Sequence, residues 1–435
     1  MTNNKTISFY FHIPFCVRKC HYCDFLSAPA DDETKNAYMQ ALLTELEESR
    51  EEYDTYLVTS IFFGGGTPSV VDPVWIEKII SYIMEHFRIS DNIEITIEVN
   101  PGTADENKLR SYRHIGVNRL SIGLQSANNT HLRTLGRIHT FEQFLDTYRM
   151  VSECGFDNVN VDIMGALPGQ TFDDYRETIK KVVHLNPAPK HISLYSLILE
   201  ENTLFWKWYE NGKLLPADEA NDRIGTIEKI NEDQIYVLPD EDMERTMYAE
   251  GNKLLKEYGY EHYEISNYAQ KGFECRHNVG YWTRQNYVGF GIGAASLVEN
   301  KRFQNTMDLQ RYLSFFLGKN NARNDLEQAD ESKKECFESG KNGIRSIREE
   351  VQVLSVREQM EEFMFLGLRM MEGVSKRRFL DLFGVPVEEV YGETIRRFDE
   401  EGLLVAEENS DKIYLTEKGI DLDNYVSAGF LKDDV

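Results

Sequence analysis

The sequence predicts an α/β fold on a parallel sheet. The layout is either a partial (β/α)6 version of the TIM-like barrel or a flat, doubly wound sheet, followed by a small winged-helix-like C-terminal domain. Three observations predict it. Short β-rich segments alternate with helix-like stretches through the first half of the 435 residues, an order that implies right-handed crossovers between parallel strands. Each β-rich segment runs into something polar or glycine-rich. The tail is helical and closes on a β-like pair.

The elements follow in order. Residues 7–15 form the first strand and lead straight to Cys16. Residues 38–53 read as a helix, with Met39, Leu42, Leu43 and Leu46 at helical spacing. Further strands are 60–63, 93–99, 119–124, 158–164 and 191–197, with helices 73–87, 141–154 and 171–184 between them. A polar stretch, 217–244, precedes a helix at 247–258 and a strand-rich region at 260–298. Residues 320–350 are rich in Asn, Asp, Glu, Lys and Ser and read as a solvated linker or insertion. Helices 358–371, 375–383 and 387–401 then precede a β-like pair, 403–406 and 412–415, which is the order of a winged helix. The helix that would enter a groove, 387–401, carries more acid than base, so packing is expected of it rather than DNA binding. The expected organisation is a core at 1–237, an extension at 238–319, the linker at 320–350 and a C-terminal domain at 351–435.

Composition narrows the function. The net charge is −25, from 48 basic and 73 acidic residues. Phosphate backbones and anionic membranes repel such a chain, which argues against nucleic acid as its partner. Cys154, Cys275 and Cys336 are scattered, unlike a secreted disulfide framework. No charged segment followed by an apolar stretch opens the sequence, and no apolar run approaches a membrane span. A reducing cytoplasm is the expected compartment.

The most informative motif is Cys16-x3-Cys20-x2-Cys23. Three thiolates on one tight loop can hold three irons of a [4Fe–4S] cluster and leave the fourth open for chemistry. A zinc site completed by His12 or His21 is the bland alternative, but zinc motifs open with a two- or four-residue knuckle. The strand ends supply the rest: Gly64-Gly65-Gly66-Thr67-Pro68, then Glu98, Gln125, Asp162 and Tyr195-Ser196. In parallel α/β folds these ends form one face, where sites sit. The glycine run is no P-loop, since no Gly-Lys-Ser/Thr follows it.

With its aromatic Tyr22 before the third cysteine, the motif resembles the radical S-adenosylmethionine (SAM) superfamily. The resemblance implies that SAM chelates the open iron and that one electron cleaves it to a 5′-deoxyadenosyl radical. Five further segments resemble the oxygen-independent coproporphyrinogen III oxidase family. They are His12 to Cys16, Gly64 to Ser69, Glu98 to Gly102, Ile163 to Gln170, and Tyr263-Glu264-Ile265-Ser266-Asn267 followed by His277-Asn278-Val279-Gly280-Tyr281-Trp282. The matched positions imply that Cys16, Cys20 and Cys23 ligate the cluster and that Tyr10, Gly65 and Glu98 contact its SAM. Tyr22, Gly66, Thr67, Gln125, Arg137 and Asp162 match the contacts of a second SAM.

Two departures move the resemblance toward the HemW-type haem chaperones of that family. Phe25 stands where the oxidase motif has a further cysteine, and only fifteen residues precede Cys16. This implies a haem-binding chaperone that hands haem to an acceptor protein, with a flavodoxin- or ferredoxin-like electron donor and at most transient contact with a membrane-bound acceptor. Oxidase activity is not expected. Coproporphyrinogen III decarboxylation is the second reading and radical SAM methyl transfer the third. For His277 two readings stand level: an axial haem ligand, or a buried histidine bonded to a neighbouring turn beside Tyr281 and Trp282. Cys275 is a weaker ligand candidate, and Arg276 or Arg284 would pair with haem propionates.

Overall fold

Six strands lie side by side in the order in which the chain makes them. They are β1 (Thr6–Ile13), β2 (Leu57–Gly65), β3 (Arg88–Val99), β4 (Arg119–Gln125), β5 (Val159–Gly165) and β6 (His191–Ser196), all parallel. A doubly wound sheet reverses its order at a switch point. This one does not, so the partial-barrel layout is the one adopted. The computed structural model describes residues 5–217, 219–220, 235–327 and 344–431.

The sheet continues past both ends. A separate parallel pair, β7 (Leu214–Pro216) and β8 (Tyr236–Leu238), precedes β9 (Glu261–Glu264) and β10 (Asn267–Ala269), which extend the sheet beyond β6 in antiparallel fashion. At the other side β11 (Tyr287–Phe290) pairs parallel with β1. Antiparallel β12 (Ala295–Val298), β13 (Lys301–Asn305) and β14 (Arg348–Val353) complete twelve strands. β1 therefore lies between β2 and β11, and the loop it feeds is fixed from both sides.

Strand periodicity divides the side chains. Ile7, Phe9, Phe11 and Ile13 of β1 are buried in the large apolar core. Phe11 stacks between Phe63 and Phe290 at 5.0 and 4.9 Å. The alternate residues Ser8, Tyr10 and His12 face inward, and so do Asn160 and Asp162 of β5 and His191, Ser193 and Tyr195 of β6, joined by the hydrogen bonds described below. The interior of the barrel is thus polar while its outer shell is apolar.

Crossover helices cover that shell. Pro73–His86 begins on the Asp72 side chain with proline in its first turn. Phe141–Glu153 and Phe172–Val183 both open with a capping box, from Thr140 with Gln143 and from Thr171 with Asp174. The first helix runs Asp32–Glu48, starting earlier than expected because Asp31 caps it, and a short helix, Arg50–Tyr53, follows Ser49.

Two expectations need correction. The strand-rich region 260–298 is interrupted by a helix, Arg276–Trp282, which carries the His277 motif. The stretch 320–350, expected as a solvated linker or insertion, is in part regular structure: helix Leu309–Glu327 enters it and β14 leaves it. Its middle, 328–343 with Cys336, lies outside the described residues, as does 221–234 of the earlier polar stretch.

A second apolar core gathers Phe363, Phe379, Tyr391, Phe398 and Phe430. Helices Val356–Gly367, Lys376–Phe383 and Val387–Glu400 surround it. A small antiparallel sheet closes it, with β17 (Lys412–Leu415) between β15 (Val374–Ser375) and β16 (Leu404–Val405). The helix Val387–Glu400 buries Tyr391, Ile395 and Phe398. Among the described residues no helix is long and apolar enough to cross a membrane.

Candidate functional site

A cavity of about 330 Å3 opens at the carboxyl ends of the parallel strands, a volume that suits a small ligand. Cys16, Cys20 and Cys23 line one wall, and Glu98, Gln125 and Asp162 line it from β3, β4 and β5. Gly65, Gly66 and Thr67 come from the end of β2, Tyr22 from the cysteine loop, and Arg137 from beyond β4. The three cysteines and these eight strand and loop positions, singled out by sequence and resemblance, thus share one space.

Backbone bonds set the cysteine loop. Ala28 N–H donates to Pro14 O at 2.9 Å and Cys16 N–H to Ala28 O at 3.2 Å, which closes its stem. The glycine loop presses directly on it: Gly66 N–H donates to Ile13 O at 2.8 Å and Thr67 N–H to Phe15 O at 2.7 Å. A Cβ on Gly66 would stand 2.7 Å from Phe15 O and 2.9 Å from Phe15 N. Glycine is needed here for close backbone approach.

Donors are aimed at the sulfurs. Thr67 Oγ1 lies 3.4 Å from Cys16 Sγ and Arg137 Nη1 lies 3.7 Å from Cys20 Sγ. Such contacts stabilise thiolates. Among the described residues no three His, Cys, Asp or Glu side chains gather as a single metal ion would need. The histidines that could complete a zinc site are engaged: His12 bonds Tyr10 and Leu26 O, and His21 bonds Thr134 O at 2.9 Å. Three thiols on one wall, two of them met by donors, fit an iron–sulfur cluster held by Cys16, Cys20 and Cys23.

Charge in the cavity is dense. Burial, and then the neighbouring Asp162, push the Glu98 carboxyl up to about 8. Burial also raises Asp162, opposed by hydrogen bonds from Asn160 and Ser193 and by the Arg119 and Arg137 guanidiniums. Burial pushes the Cys23 thiol up to about 11. Glu98 Oε2 accepts the Gly65 N–H at 3.2 Å.

Two further residues complete the wall, Tyr195 from the strand ends already named and Asn100 from the segment Glu98 to Gly102. Asn100 donates to Thr67 Oγ1 at 2.7 Å and accepts from Arg137 Nη2 at 2.6 Å, linking the glycine loop to the guanidinium. Tyr195 donates to Gln125 Oε1 at 2.9 Å. Asn100 directly follows β3 and Tyr195 is the last residue but one of β6, the same positional signal that marks Glu98 and Gln125.

Two named residues lie elsewhere. Tyr10 is not on the cavity wall; its ring packs between Phe62 and His277, with centroids 6.2 and 6.4 Å away. His277 is 1% exposed, deeper in the barrel. Its Nδ1 lies 2.9 Å from Ser60 Oγ and its Nε2 2.9 Å from the Tyr281 hydroxyl, and burial pushes it down to about 3. Both nitrogens are taken, as the structural reading of this histidine requires. Cys275 is buried against Glu94 at 3.6 Å, and burial pushes its thiol up to about 12. Arg284 is committed to Glu362 at 2.8 Å, while Arg276 is more than half exposed.

Comparison with known proteins agrees with this layout. Residues 10–182 match the radical SAM superfamily model and residues 354–422 the HemN C-terminal domain model. The chain is 33% identical over 431 residues to "Heme chaperone HemW" of Lactococcus lactis, covering 99% of each. It is 30% identical to the protein of the same name in Bacillus subtilis, covering 98% of this chain and 99% of the relative. The coproporphyrinogen III oxidase (HemN) of Escherichia coli, described as a radical SAM enzyme, superposes with a TM-score of 0.73 at 20% identity, over 98% of this chain and 90% of that one. That superposition establishes the shared fold. A radical SAM domain implies a [4Fe–4S] cluster and SAM, and the described cavity has the residues for both. With full-length identity to two proteins of one name and this domain pair, the chain belongs to the HemW family of the radical SAM superfamily.

Proposed function

We propose that this chain is a haem chaperone. It binds haem and passes it to an acceptor protein, with a [4Fe–4S] cluster on Cys16, Cys20 and Cys23 and SAM at the iron they leave free. The reading places it in the cytoplasm, served by a small reductant. Bound there, cluster and SAM supply one-electron chemistry. The chain's own residues do the positioning. Gly65 and Glu98 offer an amide and a carboxylate for the amino and ribose groups of SAM. Tyr22, Gly66, Thr67, Gln125, Arg137 and Asp162 face the same space and complete the SAM site.

The observation that carries the reading is Phe25. It stands at the cavity mouth 60% exposed, in the position that the oxidase resemblance fills with cysteine, and Ile198 across the same rim is 67% exposed. Large apolar side chains so placed suit a flat, apolar macrocycle. Arg18 and Lys19, bonded to the backbone carbonyls of Gly136 and Phe25, bring cationic groups to that rim for its carboxylates. His277, with both nitrogens engaged, is read as a structural residue.

Anaerobically purified protein titrated with haemin tests this. A saturable Soret band is expected. No saturable binding, or turnover of coproporphyrinogen III under reducing, oxygen-free conditions, overturns the chaperone reading.

A further inference from the structure

The motif Tyr263-Glu264-Ile265-Ser266-Asn267 has no place on the cavity wall, yet a row of hydrogen bonds joins it to that wall. The Tyr263 hydroxyl lies 2.8 Å from His191 Nε2. His191 Nδ1 lies 2.6 Å from Asn160 Oδ1. Asn160 Nδ2 lies 2.7 Å from Asp162 Oδ1 and 2.8 Å from Ser121 Oγ.

The chemistry of each group fixes the direction of every bond. An amide oxygen only accepts, so the proton of His191 is on Nδ1. His191 is fully buried beside the Arg119 guanidinium, and both effects keep it neutral. Its Nε2 therefore has a lone pair to offer, and Tyr263 donates to it. Asn160 in turn presents its NH2 to the carboxylate. Behind Tyr263, the Cys275 N–H donates to the phenol oxygen at 3.3 Å, and the next two amides of that turn are held by Glu94 at 3.1 Å each. The bonds from Cys275 N–H through Tyr263, His191 and Asn160 all point toward Asp162, and aligned bonds reinforce one another in an interior of low dielectric. Ser193 Oγ stands beside this row, 2.7 Å from Asn267 Oδ1 and 3.2 Å from Asn160 Oδ1.

We infer that His191 is a positioning residue of the cavity: through Asn160 it fixes the orientation of the Asp162 carboxylate, and Tyr263 fixes His191 in turn. The inference rests on the reading above, in which Asp162 contacts SAM. His191 touches no ligand itself. Its imidazole turns the start of the helix Arg276–Trp282 into a support for the opposite end of the barrel.

The test is a double-mutant cycle on the full-length, cluster-loaded protein, reading the SAM dissociation constant by equilibrium dialysis. His191→Ala is expected to weaken binding about tenfold, as supporting residues behind a ligand contact do. In an Asp162→Ala background the same change should cost less than about twofold, because residues acting through one another are not additive. His191→Gln, whose amide offers an NH2 to donate and a carbonyl oxygen to accept, should recover most of the lost affinity. A merely structural role lowers the melting temperature but multiplies the dissociation constant equally in both backgrounds, and that result overturns the inference. If His191→Ala does not load its cluster, Tyr263→Phe enters the same cycle with the same criterion. Wild-type protein that binds no SAM overturns the functional reading together with the inference; additive losses overturn the inference alone.

Discussion

The Arg369 guanidinium lies 4.4 Å from the centre of the Trp282 ring, so the helix that carries His277 is clamped by the C-terminal region. The same guanidinium is 3.7 Å from Glu264 of β9 and 3.6 Å from Asp423. Glu264 is fully buried and its chain neighbour Ile265 donates to Arg369 O at 3.2 Å. Arg369→Ala strips a buried carboxylate of its cation and should destabilise the protein by about 3 kcal/mol. Thermal melting checks the size, and faster amide exchange across 354–431 checks the place.

Cys20→Ala removes one of the three thiols and the sulfur that Arg137 faces. The visible absorbance of a thiolate-held cluster and its iron content should both be lost. An unchanged spectrum would refute the ligand assignment.

Phe25→Ala removes the exposed ring at the cavity mouth and should weaken haemin binding by about tenfold, the worth of burying one aromatic face. Cluster absorbance should be unaffected, because no hydrogen bond to the cysteines uses the Phe25 side chain. Equal haemin affinity in the variant would move the haem site away from this rim.

Glu45 supplies a pH dependence. Its carboxylate, 2% exposed, accepts from Gly291 N–H at 2.7 Å, from Asn305 at 2.6 Å and from the Tyr312 hydroxyl at 2.5 Å. Burial nevertheless pushes it up to about 7 from an ordinary 4.5. The folded state then keeps a proton that the unfolded chain has released. The contribution of this group is fully present below the ordinary carboxylate range and is lost as pH rises toward 7. Urea unfolding between pH 5 and 8 should show that decline, and Glu45→Gln should flatten it.

Much of the site was legible because its residues occupy one kind of position. Glu98, Gln125 and the glycine run close their strands, where the period-two pattern stops, whereas Asp162 was expected at a strand end and stands in the middle of β5, facing inward. What escaped depends on partners far along the chain. The helix Arg276–Trp282 has no side-chain cap of its own, and the Glu94 carboxylate of β3 satisfies its first amides instead. No local start signal exists for a helix capped from 180 residues away. Likewise β11 is four residues long, and nothing in Tyr287–Phe290 announces a pairing with β1. The two readings of His277 were separable only once Ser60 of β2 was beside it.

The place of β1 between β2 and β11 has a consequence for biogenesis. The three cysteines lie within the first 23 residues of the sequence, yet the strand that aims them is flanked on one side only by 287–290. Pairings so distant in sequence close late. Until 287–290 is made, β1 has β2 as a neighbour on one side and none on the other. A nascent chain stopped before 287 is therefore expected to have the three thiols without the strand that completes their support, and to keep less cluster than the full chain.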